Sequence, residues 1–261
     1  MNLPPPPPPP LAQSAVPWLL ALAAAGIPVS LLWDFSWEGT IGIDLPWSPP
    51  HVATFSAVLL AGLSALALAG RGEVPGVRLA RWEIPLGAGL VLWGTAAFLL
   101  AYFFDRWWQA NYGLLAGIWH PPQILKATAF FAITLGAWFA CRGPGGDLAE
   151  VVAGAAVLAL IFVVTLAANF ANRQHSAAFY QLAAGTYPIV LAAFAIAGRR
   201  PFPATTAALA SLLLVAAMVW LLPLCPGVPQ VAPIYHPRDH LLPPDQASFQ
   251  ATRCDSGSGS W

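Results

Sequence analysis

Charge is what this sequence has least of. Only 8% of its 261 residues are charged, where soluble domains average about 25%. Eleven basic and eleven acidic residues cancel to a formal charge of zero. A chain so uncharged, with 58% hydrophobic residues and a mean hydropathy of +0.66, would precipitate as a free globule. With no net positive charge and no basic run, no nucleic-acid partner is expected. Lysine is nearly absent: Lys126 stands against ten arginines. Three cysteines cannot all pair, and none forms a CxxC motif. The phosphate-loop, dinucleotide-glycine, HExxH, GxSxG and CxxCH motifs are missing, as is an N-glycosylation triplet.

What is present is long apolar runs. A helix crosses a bilayer with about 20 mostly apolar residues. Seven stretches qualify: Ala15–Trp33, Val52–Gly70, Ile84–Phe104, Gln123–Cys141, Val151–Ala168, Ala178–Gly198 and Pro203–Leu222. The expected fold is therefore an all-α integral membrane bundle of about seven transmembrane helices, with the lipid bilayer as its first partner. It divides into a proline-rich segment 1–14, a membrane domain 15–222 and a tail 223–261. Only Lys126 places a formal charge inside a run, which weighs against active transport. Pro4–Pro10 would form a polyproline II rod, a spacer or a docking peptide for a proline-binding module.

Arginines set the expected orientation, because basic residues are retained in cytoplasmic loops. In the loops between runs, Arg71, Arg78, Arg81, Arg142, Arg199 and Arg200 fall on one side, and only Arg106 and Arg173 on the other. The N-terminus is expected inside and the tail outside. Cys141 then faces the cytoplasm reduced, while Cys225 and Cys254 share the external tail, where a disulfide is permissible.

The outer loops repeat. The first reads Asp34-Phe-Ser-Trp37, Gly42, then Trp47-Ser-Pro-Pro-His51; the second reads Asp105-Arg-Trp-Trp108, Gly113, then Trp119-His-Pro-Pro-Gln123. Hairpins 15–70 and 84–141 would be copies, and 151–198 a degraded third through Asn172-Arg-Gln-His175 and Tyr187-Pro188. A different alignment of that third copy sets Gln181 against Gln123. Such copies share one membrane orientation, unlike inverted-repeat transporters.

Structural roles account for most of the repeated residues. Pro49, Pro50, Pro121 and Pro122 suit the first turn of re-entering helices, with Ser48 and His120 as N-caps. Gly42 and Gly113 suit tight turns. Trp37, Trp47, Trp108 and Trp119 suit the headgroup level, where indoles settle. Asp34 and Asp105 are harder, because they follow the ends of the first and third runs and would meet the negative end of a helix dipole. Candidate compensators are free backbone N–H groups of the neighbouring helix, Arg106, Arg173, Lys126 or a metal ion. All five histidines fall on the expected outer face. His51, His120 and His175 with Asp34 or Asp105 could therefore form a copper or zinc site.

The segment 34–51, together with Ala232-Pro-Ile-Tyr-His-Pro and Leu241-Leu-Pro-Pro, resembles a group of uncharacterised bacterial polytopic membrane proteins. That resemblance implies a multi-pass protein of the bacterial inner membrane and carries no catalytic residue. Members of the group continue with an apolar stretch, where this chain continues with Cys254-Asp-Ser-Gly-Ser-Gly-Ser-Trp261. Size and span count are also similar to the membrane subunits of copper-dependent monooxygenases, but no run contains their Asp-x3-His spacing. Two functions of different class are expected: an accessory subunit with membrane-protein or homo-oligomeric partners, or a metal protein with redox or hydrolytic activity.

Overall fold

Apolar side chains all around a helix require either lipid or other helices on every face, and the chain answers with a bundle. A computed structural model describes residues 10–40, 47–70, 77–79, 82–112, 120–142, 147–171, 177–198 and 201–224. The helices are α1 (Pro10–Thr40), α2 (Pro49–Ala69), α3 (Leu86–Tyr112), α4 (Pro121–Ala140), α5 (Asp147–Ala171), α6 (Ala177–Ala197) and α7 (Pro203–Leu221). Between α2 and α3 lies a small antiparallel pair, β1 (Val77–Leu79) and β2 (Trp82–Ile84), with Arg78 opposite Glu83. Among the described residues, six helices are long and apolar enough to cross a membrane; the apolar stretch of α6 is the shorter Ala184–Ala197. This is an all-α bundle compatible with a multi-pass membrane protein.

The helix α1 packs on α2 and α3 on α4, forming two hairpins that meet along α2 and α3. The helix α5 is the hub, against α1, α4, α6 and α7. Its apolar stretch is 72% buried, whereas only 17% of that of α7 is. The α3–α4 seam is the tightest, and glycine is the reason. A Cβ on Gly136 would lie 2.7 Å from the Gly87 carbonyl oxygen, and one on Gly94 would lie 2.7 Å from that of Ala129. Small residues let membrane helices approach backbone to backbone, which supplies dispersion contacts where water supplies no drive.

The double prolines open α2 and α4 as expected. The capping expectation for Ser48 and His120 needs correction: both occupy the N-cap, but neither side chain makes a capping bond. The second proline of each pair, at N2, removes one of the two N–H groups that a cap side chain bonds. In α4 the next donor, the Gln123 N–H, is taken by the His120 carbonyl at 3.0 Å. Ser48 Oγ is left buried without a hydrogen bond.

Candidate functional site

Helices α1 and α3 overrun their apolar stretches, and this moves the two aspartates. Asp34 and Trp37 lie within α1, which runs on to Thr40, and Asp105 and Trp108 lie within α3, which runs on to Tyr112. The expectation of a carboxylate beyond a helix terminus is thereby corrected. The dipole's end charge falls off within the last turn, and both groups sit more than a turn before it. Each instead faces the following helix.

In the first hairpin, Oδ1 of Asp34 lies 3.4 Å from Nε2 of His51, with 15% and 33% of the side chains exposed. One turn deeper, Thr54 Oγ1 lies 2.9 Å from Ser30 Oγ and 3.0 Å from the Pro50 carbonyl, and its single proton serves one of them at a time. Ser30 Oγ donates to the Ile27 carbonyl at 2.9 Å. The α1–α2 seam thus carries an ionisable pair above a buried hydroxyl pair.

In the second hairpin, Lys126 Nζ donates to Asp105 Oδ2 at 2.5 Å, and Gln109 Nε2 donates to the same oxygen at 3.2 Å. Asp105 is buried, so its charge needs such a partner. Of the compensators named from sequence, Lys126 holds this position; Arg106 is exposed, and Arg173 lies outside the described residues. On the same helix, Trp108 packs on Tyr112 with centroids 4.5 Å apart and meets Phe104 edge-on.

The five residues proposed for a metal are therefore not gathered together in the described part of the chain. Asp34 and His51 meet, Asp105 is bound by an ammonium, and His120 is half-buried at the start of α4. His175 and Trp119 lie outside the described residues, as do Gly42 and Gly113 and the cysteines of the tail. Among the described residues no group of three or more His, Cys, Asp or Glu is placed to hold an ion. A metal at Asp105 would also have to displace a cation already in contact. Trp47 is exposed, whereas Trp37 and Trp108 are half-buried.

The opposite end of the bundle holds a polar cluster that the sequence reading passed over. Arg142, following α4, donates to the Ala197 carbonyl at the end of α6. Its Nε lies 3.8 Å from Oε1 of Glu150 in the first turn of α5, and its guanidinium lies 5.3 Å from the centre of the Trp138 ring. Glu150 and Trp138 are buried, and Trp138 packs on Phe194 at 4.5 Å. Cys141 is buried beside them and donates to the Pro17 carbonyl at 3.3 Å. Burial, and then the charge of Glu150, push its thiol up to about 12. A signal existed in the sequence: Arg142 and Glu150 flank consecutive apolar runs, and opposite charges so placed fall at one depth. Comparison with family models, curated proteins and solved structures finds no match to this chain.

Proposed function

We propose that this chain is a structural or accessory subunit of a larger membrane complex, in a bacterial inner membrane with the N-terminus inside. One observation carries the reading. Three carboxylates of the described bundle lie against basic side chains of the same chain: Asp34 Oδ1 at 3.4 Å from His51 Nε2, Asp105 at hydrogen-bond distance from Lys126, and Glu150 at 3.8 Å from Arg142 Nε. Ion- and proton-coupled proteins need groups free to change partners in the membrane interior. Internal pairing instead gives a rigid body with apolar flanks, and α7 offers Leu212, Leu213 and Trp220 outward. The repeated hairpin loops and the resemblance to bacterial polytopic proteins fit that setting. Extraction in mild detergent should recover the chain in an assembly well above its 27.5 kDa mass. Recovery as a lone monomer under conditions that preserve other membrane complexes would remove the proposal. Orientation has its own test: an impermeant thiol reagent should label Cys225 or Cys254 after reduction in intact spheroplasts.

A second reading rests on the Asp34–His51 contact. A carboxylate against one imidazole nitrogen is the arrangement that orients metal-ligating histidines, and His175 would be a further ligand to copper or zinc. Elemental analysis of gently purified protein decides it: stoichiometric metal, lost in His51→Ala, supports the reading, and metal-free protein refutes it.

A further inference from the structure

The seam between α1 and α2 changes character at Pro28. Before it, α1 gives the core Leu20, Ala24 and Ile27, fully buried with Val58, Ala61 and Ala65 of α2. A Cβ on Gly26 would lie 3.3 Å from that of Ala57. Beyond Pro28 the seam is polar, with Ser30 and Asp34 facing Thr54 and His51. No residue from Leu31 to Glu38 is buried. Pro28 also interrupts the helix ladder at this level. It has no N–H for the carbonyl of Ala24, which is itself fully buried. Above it, Asp34 Oδ1 and Ser48 Oγ are buried without a hydrogen bond. The second hairpin is built otherwise. Helix α3 contains no proline, Asp105 Oδ2 accepts two hydrogen bonds, and Gly87 and Gly94 bring backbones together.

We infer that residues 29–40 of α1 form a gate, hinged at Pro28, that swings from α2 and opens a hydrated crevice down to the Ser30–Thr54 pair. Three requirements of such a motion meet at one level. The hinge is a proline two residues after a glycine, a pair that lowers the resistance of a helix to bending. The drive is hydration, because an unmatched buried polar atom costs free energy that water would return. The stop is the apolar packing of Ile27 and Val58, which holds the rest of α1 in place. The Asp34–His51 and Ser30–Thr54 contacts oppose opening, so the gate is poised between two states. The motion leaves the Asp105–Lys126 and Glu150–Arg142 contacts untouched. It therefore stands whether or not the chain is a subunit.

The test uses the full chain in nanodiscs, where both ends are reachable and orientation does not enter. A charged maleimide labels single introduced cysteines, and peptide mass spectrometry reads each site. Thr54 and Val58 are both buried in the closed seam, Val58 one turn deeper. Thr54→Cys should label at least about tenfold faster than Val58→Cys, since a thiol must reach water to react. Adding Pro28→Ala, which restores a donor for the Ala24 carbonyl, should slow Thr54→Cys by about tenfold. Hydrogen exchange needs no cysteine and covers the case in which Thr54→Cys itself loosens the seam. Amides of residues 29–38 should exchange faster than those of 98–107 in α3, and Pro28→Ala should remove the difference. Equal labelling of Thr54→Cys and Val58→Cys with equal exchange in the two segments overturns the inference. So do labelling and exchange that Pro28→Ala leaves unchanged.

Discussion

The Asp105–Lys126 contact makes the sharpest quantitative demand on the fold. Asp105 and Lys126 keep only 10% and 19% of their side chains exposed, at 2.5 Å separation. Removing one member of a buried pair strands the other charge and costs about 3–5 kcal/mol. The residual exposure of Lys126 lets water reach the site, so Lys126→Met should cost about 2–3 kcal/mol, at or just below the bottom of that range. Asp105→Leu should cost a similar amount, because it strands the ammonium. The double variant Asp105→Leu/Lys126→Met strands nothing and should lie within about 1 kcal/mol of the parent. The two changes should therefore be strongly non-additive, with a coupling of about 2 kcal/mol or more. Exposed Arg106, adjacent in sequence, is the control, and Arg106→Ala should stay within about 0.5 kcal/mol. Reversible unfolding in bicelles measures all four. If Lys126→Met costs under about 1 kcal/mol, if the double variant costs the sum of the singles, or if Arg106→Ala matches Lys126→Met, the pairing argument fails.

Gly136→Leu should abolish folded yield, because its Cβ meets the Gly87 oxygen at 2.7 Å and the Val91 nitrogen at 2.8 Å, backbone atoms that cannot step aside. Gly185→Ala, with nothing within 4 Å, should be neutral or stabilising by up to about 1 kcal/mol in the same assay. Ser48→Ala should change stability by less than about 0.5 kcal/mol, against the roughly 1 kcal/mol that a working cap would lose; a larger loss would reveal a capping bond. Cys141 should resist permeant maleimide at neutral pH until the protein is unfolded. Above about pH 9 the unfolded thiol ionises while the folded one holds its proton to about 12, so stability should decline across that interval; rapid labelling of native protein would contradict its burial.

The bundle was legible because its signals are chemical extremes. Pro49-Pro50, Pro121-Pro122 and Pro203 mark helix starts that hydropathy alone leaves vague, and all three hold. The ends of α1 and α3 were not legible, because apolarity reports where a membrane could end while the helix continues. Asp34, Trp37 and Glu38 are poor lipid-facing residues yet lie in an uninterrupted helix. Lys126 stood among the candidates for Asp105, but choosing it over Arg106 required the register between α3 and α4. Glu150 escaped notice because its run was delimited one residue later, at Val151. Its partner Arg142 follows α4 and also bonds the end of α6, a relation that no spacing in the sequence displays.

The two hairpins treat the same aspartate differently, and the difference shows which residue is the constant. Aligning Asp34 with Asp105, and His51 with Gln123, sets Thr54 opposite Lys126 and Ser30 opposite Ala101. In the first hairpin the partner is level with the carboxylate, and Thr54 is left to bond Ser30 at its own depth. In the second, the level position is Gln123, the deeper hydroxyl pair is gone, and the cation rises from one turn below. Lysine can do this because its four-carbon stem lies along apolar surface while the ammonium reaches outward. Threonine cannot, so its hairpin needs the imidazole at the rim. In both hairpins a carboxylate of the first helix faces a nitrogen base of the second, His51 at 3.4 Å from Asp34 and Lys126 at 2.5 Å from Asp105. Had the aspartates been incidental, the simplest change in either hairpin would have been to replace them, since an apolar seam without a buried charge is no less stable.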